Sequence, residues 1–196
     1  MKFYEDVRHM LGERAAGFDA AFNYLKNIKD PLIIETGCAR EENNYLGDGQ
    51  SSLLFDQYIS EYGGHFMTVD ISDISVNYCK SKMISKNSLV IKNDSILFLK
   101  KLNEKLLADG KKIDFLYLDS FDAPRDQPDV VFRSALHHMY ELATILPSLN
   151  PGALIGVDDN WVQDYRRAGK GCIIADYMNS IGITPIFDQY QIFWKL

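Results

Sequence analysis

Residues 32–37 read LIIETG, an apolar run that halts on an acid, and such a stop returns four more times. The later runs are HFMTVD (65–70), LVIKND (89–94), IDFLYLD (113–119) and ALIGVDD (153–159). Short runs rich in Val, Ile, Leu and Phe, separated by helical patterns, read as buried parallel strands. In an open α/β sheet, ligands bind in the crevice beyond the carboxyl ends of the strands. A single strand-end carboxylate means little, because a loop must begin with something polar. Acids at all five ends (Glu35, Asp70, Asp94, Asp119 and the pair Asp158-Asp159) suggest a row of acceptors facing one bound molecule, with a cation at its far end.

The segments between these runs fit the same scheme. Residues 2–29 predict one or two amphipathic helices, bent or broken at Gly12 and Gly17. A long loop from Gly37 to Gln50 follows the first strand, and Ser51 is read as the N-cap of a helix reaching Tyr62. Helices are expected near 74–86, after Asp94, over 129–149 and near 171–181, with polar loops at 120–128 and 159–171. Two last strands, 183–188 and 190–195, leave room only for a tight connection, so they are expected to be antiparallel. The fold class is therefore α/β and doubly wound: a Rossmann-like, seven-stranded, mostly parallel sheet closing in an antiparallel C-terminal hairpin. Residues 1–30 form an N-terminal helical segment, and residues 31–196 the ligand-binding domain.

Composition narrows the function classes. The 196 residues are 46% hydrophobic and carry a net charge of −6, which disfavours nucleic acid as the main partner. Arg166, Arg167 and Lys170 are the densest basic set and read as a solvated loop, or else as a holder of an anionic substrate. Cys38, Cys79 and Cys172 lack metal-ligand or CxxC spacing, as expected of reduced thiols in a cytoplasmic protein. The opening MKFYEDVRHM has no apolar signal-peptide core, and no run approaches the roughly 18 apolar residues of a membrane span.

Around Gly37 the glycine-rich fingerprint of dinucleotide binders is missing, which counts against a nicotinamide enzyme. Asp70 ends the second strand, where a carboxylate accepts both hydroxyls of a ribose. Asp94-Ser95 stands where it can meet an adenine amino group, cap the next helix, or do both. From Leu32 to Leu196, IIETG, Asp70, Asp94 and the terminal hairpin together resemble the class I S-adenosylmethionine-dependent methyltransferases. That resemblance implies S-adenosylmethionine as cofactor. Glu35, Thr36, Gly37 and Cys38 would then face its methionine part, Asp70 and the adjoining Ile71 its ribose, and Asp94 and Ser95 its adenine. Ser51 and Ser52, opening a helix, would lie near its carboxylate. The loop CAREENNYLGDGQSS is longer than the compact turn usual in that family, so either Gly37-Cys38-Ala39 or Gly47-Asp48-Gly49 supplies the close backbone approach.

Asp119, Asp158 and Asp159 end neighbouring strands. Two carboxylates about 4 Å apart repel by roughly 4 kcal/mol at an effective dielectric near 20. Three converging acids therefore need a cation, a shared proton or separation. Hard oxygen donors of this kind suit Mg²⁺. PGALIGVDDNW and FLYLDS are similar to the metal-site strands of catechol, caffeoyl-CoA and macrocin-type O-methyltransferases. The resemblance implies Mg²⁺ on Asp119, Asp158 and Asp159. In the catechol-type enzymes a lysine base follows the first metal acid by three positions, where this chain has Asp122, a base if its acidic neighbours raise its pKa and otherwise a solvated loop acid. His137 and His138 lie mid-helix, and at most one of them can face the cleft. Trp161, Tyr165 and Tyr190 line an acceptor pocket or simply pack.

The function expected is methyl transfer to a small hydroxylated acceptor. The alternatives are a non-catalytic nucleoside-binding module and, less favoured, a nicotinamide-dependent oxidoreductase. The N-terminal helices serve the acceptor side or a dimer contact, and the sequence leaves that choice open.

Overall fold

A computed structural model describes residues 1–196. The chain opens with α1 (Lys2–Val7), two 3₁₀ turns and α2 (Ala15–Leu25). It continues through β1 (Leu32–Thr36), the short α3 (Tyr45–Asp48), α4 (Ser51–Tyr62), β2 (His65–Asp70), α5 (Asp73–Lys82) and β3 (Ser88–Lys92). Next come α6 (Ser95–Asp109), β4 (Ile113–Leu118), α7 (Pro128–Ile145) and β5 (Leu149–Val157). A small hairpin, β6 (Asn160–Gln163) and β7 (Arg166–Gly169), precedes α8 (Cys172–Ser180), β8 (Phe187–Asp188) and β9 (Ile192–Lys195).

The main sheet has the order β3-β2-β1-β4-β5-β9-β8, with β1 to β5 parallel and β9 antiparallel to both β5 and β8. This is the doubly wound sheet the sequence predicts, with one reversed strand, β9, between β5 and β8. The chain leaves β1 toward β2 on one side and later fills β4 on the other, so the crevice lies beyond the ends of β1 and β4.

Period-2 alternation divides the strand side chains between two cores. Ile34, Leu116, Leu118, Ile155 and Trp194 pack with α6, α7 and α8, through Leu99, Leu142 and Met178 among others. Ile33, Phe115, Tyr117, Leu154 and Phe193 pack with α1, α2 and α4 around an aromatic group that includes Phe18, Phe22 and Phe55. The N-terminal helices are thus one wall of the core, with Phe18 and Leu25 fully buried.

Four local expectations are corrected. Gly12 breaks the N-terminal segment at φ +56°, but Gly17 lies inside α2, where a Cβ would meet Gln191 Oε1 at 1.8 Å. Ser51 is the first helical residue of α4, and the cap position is Gln50 in the left-handed region. Strand β5 begins at Leu149, before Pro151, whose missing N–H falls where the register against β4 shifts. The expected loop 159–171 contains the β6–β7 hairpin.

Candidate functional site

A cleft of about 560 Å³ opens at the carboxyl edge of the sheet, a size typical of small-ligand sites. Its walls are the loops after β1, β2, β3 and β4, joined by Arg14, Ser51, His137 and Asp159. Six carboxylates line it (Asp48, Asp70, Asp94, Asp119, Asp122 and Asp159), against two guanidiniums, Arg14 and Arg40.

The floor requires a glycine. Gly37 has φ +81°, and a Cβ there would sit 2.5 Å from the Asp119 carbonyl oxygen, so the ends of β1 and β4 approach closely only through it. Beside it, Asp70 is held by two backbone donors: Cys38 N–H reaches Oδ2 at 3.2 Å and Ser72 N–H reaches Oδ1 at 2.7 Å. Each oxygen keeps a lone pair for a ligand. Asp94 accepts the Leu97 N–H at 2.9 Å and so caps α6 while lining the cleft.

At the same end, His137 Nε2 lies 3.0 Å from Ser95 Oγ and 3.2 Å from Glu141 Oε1. Glu141 is fully buried and also accepts from Ser120 Oγ at 2.7 Å and Thr36 Oγ1 at 3.1 Å. Burial, the largest single influence, would raise its pKa, but the bond from His137, the nearby His138 and His137 rings and Ser95 together outweigh it and hold Glu141 below the usual carboxylate range. The same bond raises the His137 pKa, against burial. His138 points away, buried, its Nδ1 2.6 Å from the Ser134 carbonyl, and burial lowers it to about 4.

The opposite end holds the acidic cluster with its own cations. Carboxylate oxygens of Asp119, Asp158 and Asp159 lie within 4.8 Å of one another. The Lys170 ammonium donates to Asp119 Oδ1 at 2.6 Å and to Asp159 Oδ2 at 2.9 Å. Arg14 donates from Nε to Asp158 Oδ2 at 2.8 Å and from Nη2 to Asp159 Oδ1 at 3.2 Å, and Tyr190 OH also donates to Asp159 Oδ1. Lys170 is 1% exposed and Asp158 is 0% exposed, so these are interior charges. Burial opposes the Lys170 charge, yet Asp119 and Asp159 raise its pKa above the ordinary lysine value. Burial pushes Asp119 well up, against Lys170, whereas in Asp159 Lys170, Tyr190 and Arg14 overcome burial and lower the pKa. Asp119 is therefore the member of the cluster facing the cleft that takes up a proton more readily.

These residues do not fit a divalent ion as they stand. The ammonium of Lys170 already uses Asp119 and Asp159, and an oxygen-coordinated ion would have to displace it.

No protein-family model matches the sequence, and no curated protein matches it. The three-dimensional arrangement does find relatives. MycE, a methyltransferase of mycinamycin biosynthesis solved with Mg, S-adenosylhomocysteine and mycinamycin VI, superposes with a TM-score of 0.62 at 16% identity, over 92% of this chain and 48% of MycE. The 1,6-didemethyltoxoflavin N1-methyltransferase of Burkholderia thailandensis, solved with bound 1,6-didemethyltoxoflavin and S-adenosylhomocysteine, gives 0.53 at 15% identity, over 98% of this chain and 83% of that one. SMU.1697c of Streptococcus mutans, in complex with S-adenosylhomocysteine, gives 0.54 at 10% identity, over 91% and 97%. The chain has the class I methyltransferase fold. It spans about half the length of MycE.

Within this methyltransferase fold, the sequence-predicted residues divide. Gly37, Cys38, Ser51, Asp70, Ile71, Asp94, Ser95 and Asp119 line the cleft, as does Asp159. Both candidate backbone segments reach it, Gly37–Ala39 as well as Gly47-Asp48. Glu35, Thr36 and Ser52 stand behind the wall, fully buried. Ser52 Oγ donates to Glu35 Oε2 and Thr36 donates to Glu141, so their side chains bond to the interior. Asp158 is likewise behind Asp159, in the grip of Arg14.

Asp122 lines the cleft, but its side chain is 62% exposed and pairs with Arg40 at 2.7 Å instead of sharing a buried acidic environment. Arg40 also reaches Asp48 at 3.0 Å and so ties the first loop to the fourth across the mouth. Tyr190 belongs to the acidic cluster, Trp161 stacks under Arg125 at 4.9 Å, and Tyr165 is fully exposed at the hairpin tip. Lys170, expected in a solvated loop, is buried, while Arg167 pairs with Asp188 on the outside.

Sequence reasoning missed Arg14 as a partner for the strand-end acids, and Glu141 altogether. An arginine preceding an amphipathic helix and a glutamate four residues after a histidine are signals visible only once the topology brings them to the sheet edge.

Proposed function

We propose that this protein is an S-adenosylmethionine-dependent methyltransferase acting on an oxygen of a small hydroxylated molecule. The observation that carries the reading is the charge of the cleft: six carboxylates against Arg14, Arg40 and the Lys170 ammonium bonded to two of them leave an acidic excess that suits a cationic ligand. A nicotinamide dinucleotide brings an anionic pyrophosphate, which this lining repels, and a polynucleotide fares no better. The structures with this fold that hold S-adenosylhomocysteine support the same cofactor.

S-adenosylmethionine, when bound, supplies an electrophilic methyl group on a sulfonium. In this reading Asp70, oriented by the Cys38 and Ser72 amides, holds the ribose hydroxyls, and Asp94 and Ser95 hold the adenine end. The Gly37 backbone allows close approach along the floor. Asp119 and Asp159 would supply negative charge at the sulfonium end, and Asp119, which lines the cleft, would accept the proton of the acceptor hydroxyl. Phe121 and Asp122 edge the acceptor side, and no step runs through a metal.

Isothermal titration with S-adenosylhomocysteine tests the cofactor directly. Wild type is expected to bind, and Asp70→Asn to bind at least tenfold more weakly, since a charge-assisted hydrogen bond is worth about 1.5–3 kcal/mol. No binding by folded wild type would end the proposal. Turnover with a panel of hydroxylated acceptors then separates an enzyme from a module that only binds nucleosides.

A further inference from the structure

The cation that three converging carboxylates demand is covalently part of this chain. We propose that the Lys170 ammonium takes the place of a divalent metal ion in the acidic cluster, so that the protein binds no Mg²⁺ there and needs none. Removing that amine is then expected to turn Asp119, Asp158 and Asp159 into a metal site. This inference concerns the cluster itself and stands whatever reaction the cleft performs.

Three observations carry it. First, Lys170 is held where a bridging ion would be, donating to two of the three acids at 2.6 and 2.9 Å and 1% exposed. An ammonium is a compact point charge with three donors and can serve several oxygens at once. Second, its placement is built in. Lys170 N–H donates to the Asp159 carbonyl at 3.2 Å, and Asn160 fixes the neighbouring turn through the Gly171 N–H and the Val157 and Asp158 carbonyls. Gly169 precedes it at φ +86°, where a Cβ would lie 2.0 Å from the Asp159 oxygen. The β6–β7 hairpin thus folds back to deliver this one side chain.

Third, the charges match. Lys170 and Arg14 offset two of the three carboxylates. Without Lys170 two negative charges remain, the charge that one divalent ion neutralises. Asp158 Oδ1 is buried without a hydrogen-bond partner, and so offers an unused oxygen to an ion that enters.

The test uses Mn²⁺ and Mg²⁺ as probes on chelator-treated full-length protein. Wild type is expected to show no stoichiometric Mn²⁺ binding by electron paramagnetic resonance or calorimetry, and an unchanged melting temperature with millimolar Mg²⁺ or with chelator. Lys170→Ala is expected to melt lower, to bind one Mn²⁺ per chain, and to regain melting temperature when Mg²⁺ or Mn²⁺ is added. Adding Asp159→Asn to Lys170→Ala should remove that binding.

If Lys170→Ala is insoluble, it is refolded with and without Mn²⁺, beside Lys170→Gln, which keeps more of the packing. Metal-dependent recovery of either variant supports the proposal. Wild type binding one Mn²⁺ in a manner lost in Asp159→Asn would overturn it. So would variants that fold without binding metal, or that fail to fold whether or not metal is present.

Discussion

Glu35 and Thr36 are adjacent on β1, and the alternation of the strand sends them to opposite sides. Glu35 follows Ile33 toward α4 and meets Ser52; Thr36 follows Ile34 toward α7 and meets Glu141. Burial raises the Glu35 pKa from 4.5 to about 7, although Ser51, Ser52 and Thr68 work the other way. The native state then holds this proton more tightly than the unfolded chain. Its contribution to stability is complete below about pH 4.5 and is lost as pH rises through about 7. That difference is worth roughly 3 kcal/mol for a fully buried group. Glu35→Gln should therefore gain on wild type by about that amount across this window, measured by urea unfolding at a series of pH values. Parallel profiles for the two proteins would show that Glu35 does not titrate in the window. Asp70 was legible in sequence because it lies at the very end of its strand, beyond the packing that decides a side. Glu35 was not, since one residue of parity separates the cleft from the core.

The five parallel strands were readable as apolar runs, because each is buried between helices and needs no partner-specific signal. The β6–β7 hairpin was not readable. Its strands are short and polar, and its two-residue turn is Asp164-Tyr165, both at positive φ, in place of the glycine or asparagine such turns favour. Yet this hairpin positions Lys170. Gly169→Ala meets both the left-handed backbone and the Asp159 carbonyl at 2.0 Å, and should cost about 2–4 kcal/mol. Gly182 offers the control: φ is +79°, but nothing lies within 4 Å of an added Cβ, so Gly182→Ala should cost only the backbone strain of about 1–2 kcal/mol. Urea midpoints for the two variants isolate the collision. Equal losses would mean that the hairpin moves aside and does not hold Asp159 and Lys170 in fixed register.

Across the whole molecule, the longest-range buried ion pair joins the N-terminal segment to the carboxyl edge of the sheet. Arg14 stands just before α2 and reaches past Leu46 to Asp158, 144 residues away in sequence, with side chains 7% and 0% exposed. The amphipathic pattern of residues 2–29 announced one or two helices but carried no mark of this tie, because a buried arginine looks like a surface one until its carboxylate is placed. Removing one partner of a buried pair strands the other charge, a loss of about 3–5 kcal/mol, whereas removing both charges costs much less. Arg14→Ala should accordingly be strongly destabilised, and Arg14→Ala/Asp158→Asn should recover most of the loss in urea unfolding. A double variant no more stable than Arg14→Ala would mean that Arg14 matters through the packing of α2 alone. Recovery would mean that the N-terminal helices answer to the charge of the strand ends, so that the acidic edge beside the cleft also fixes how the first elements of the chain close over the sheet.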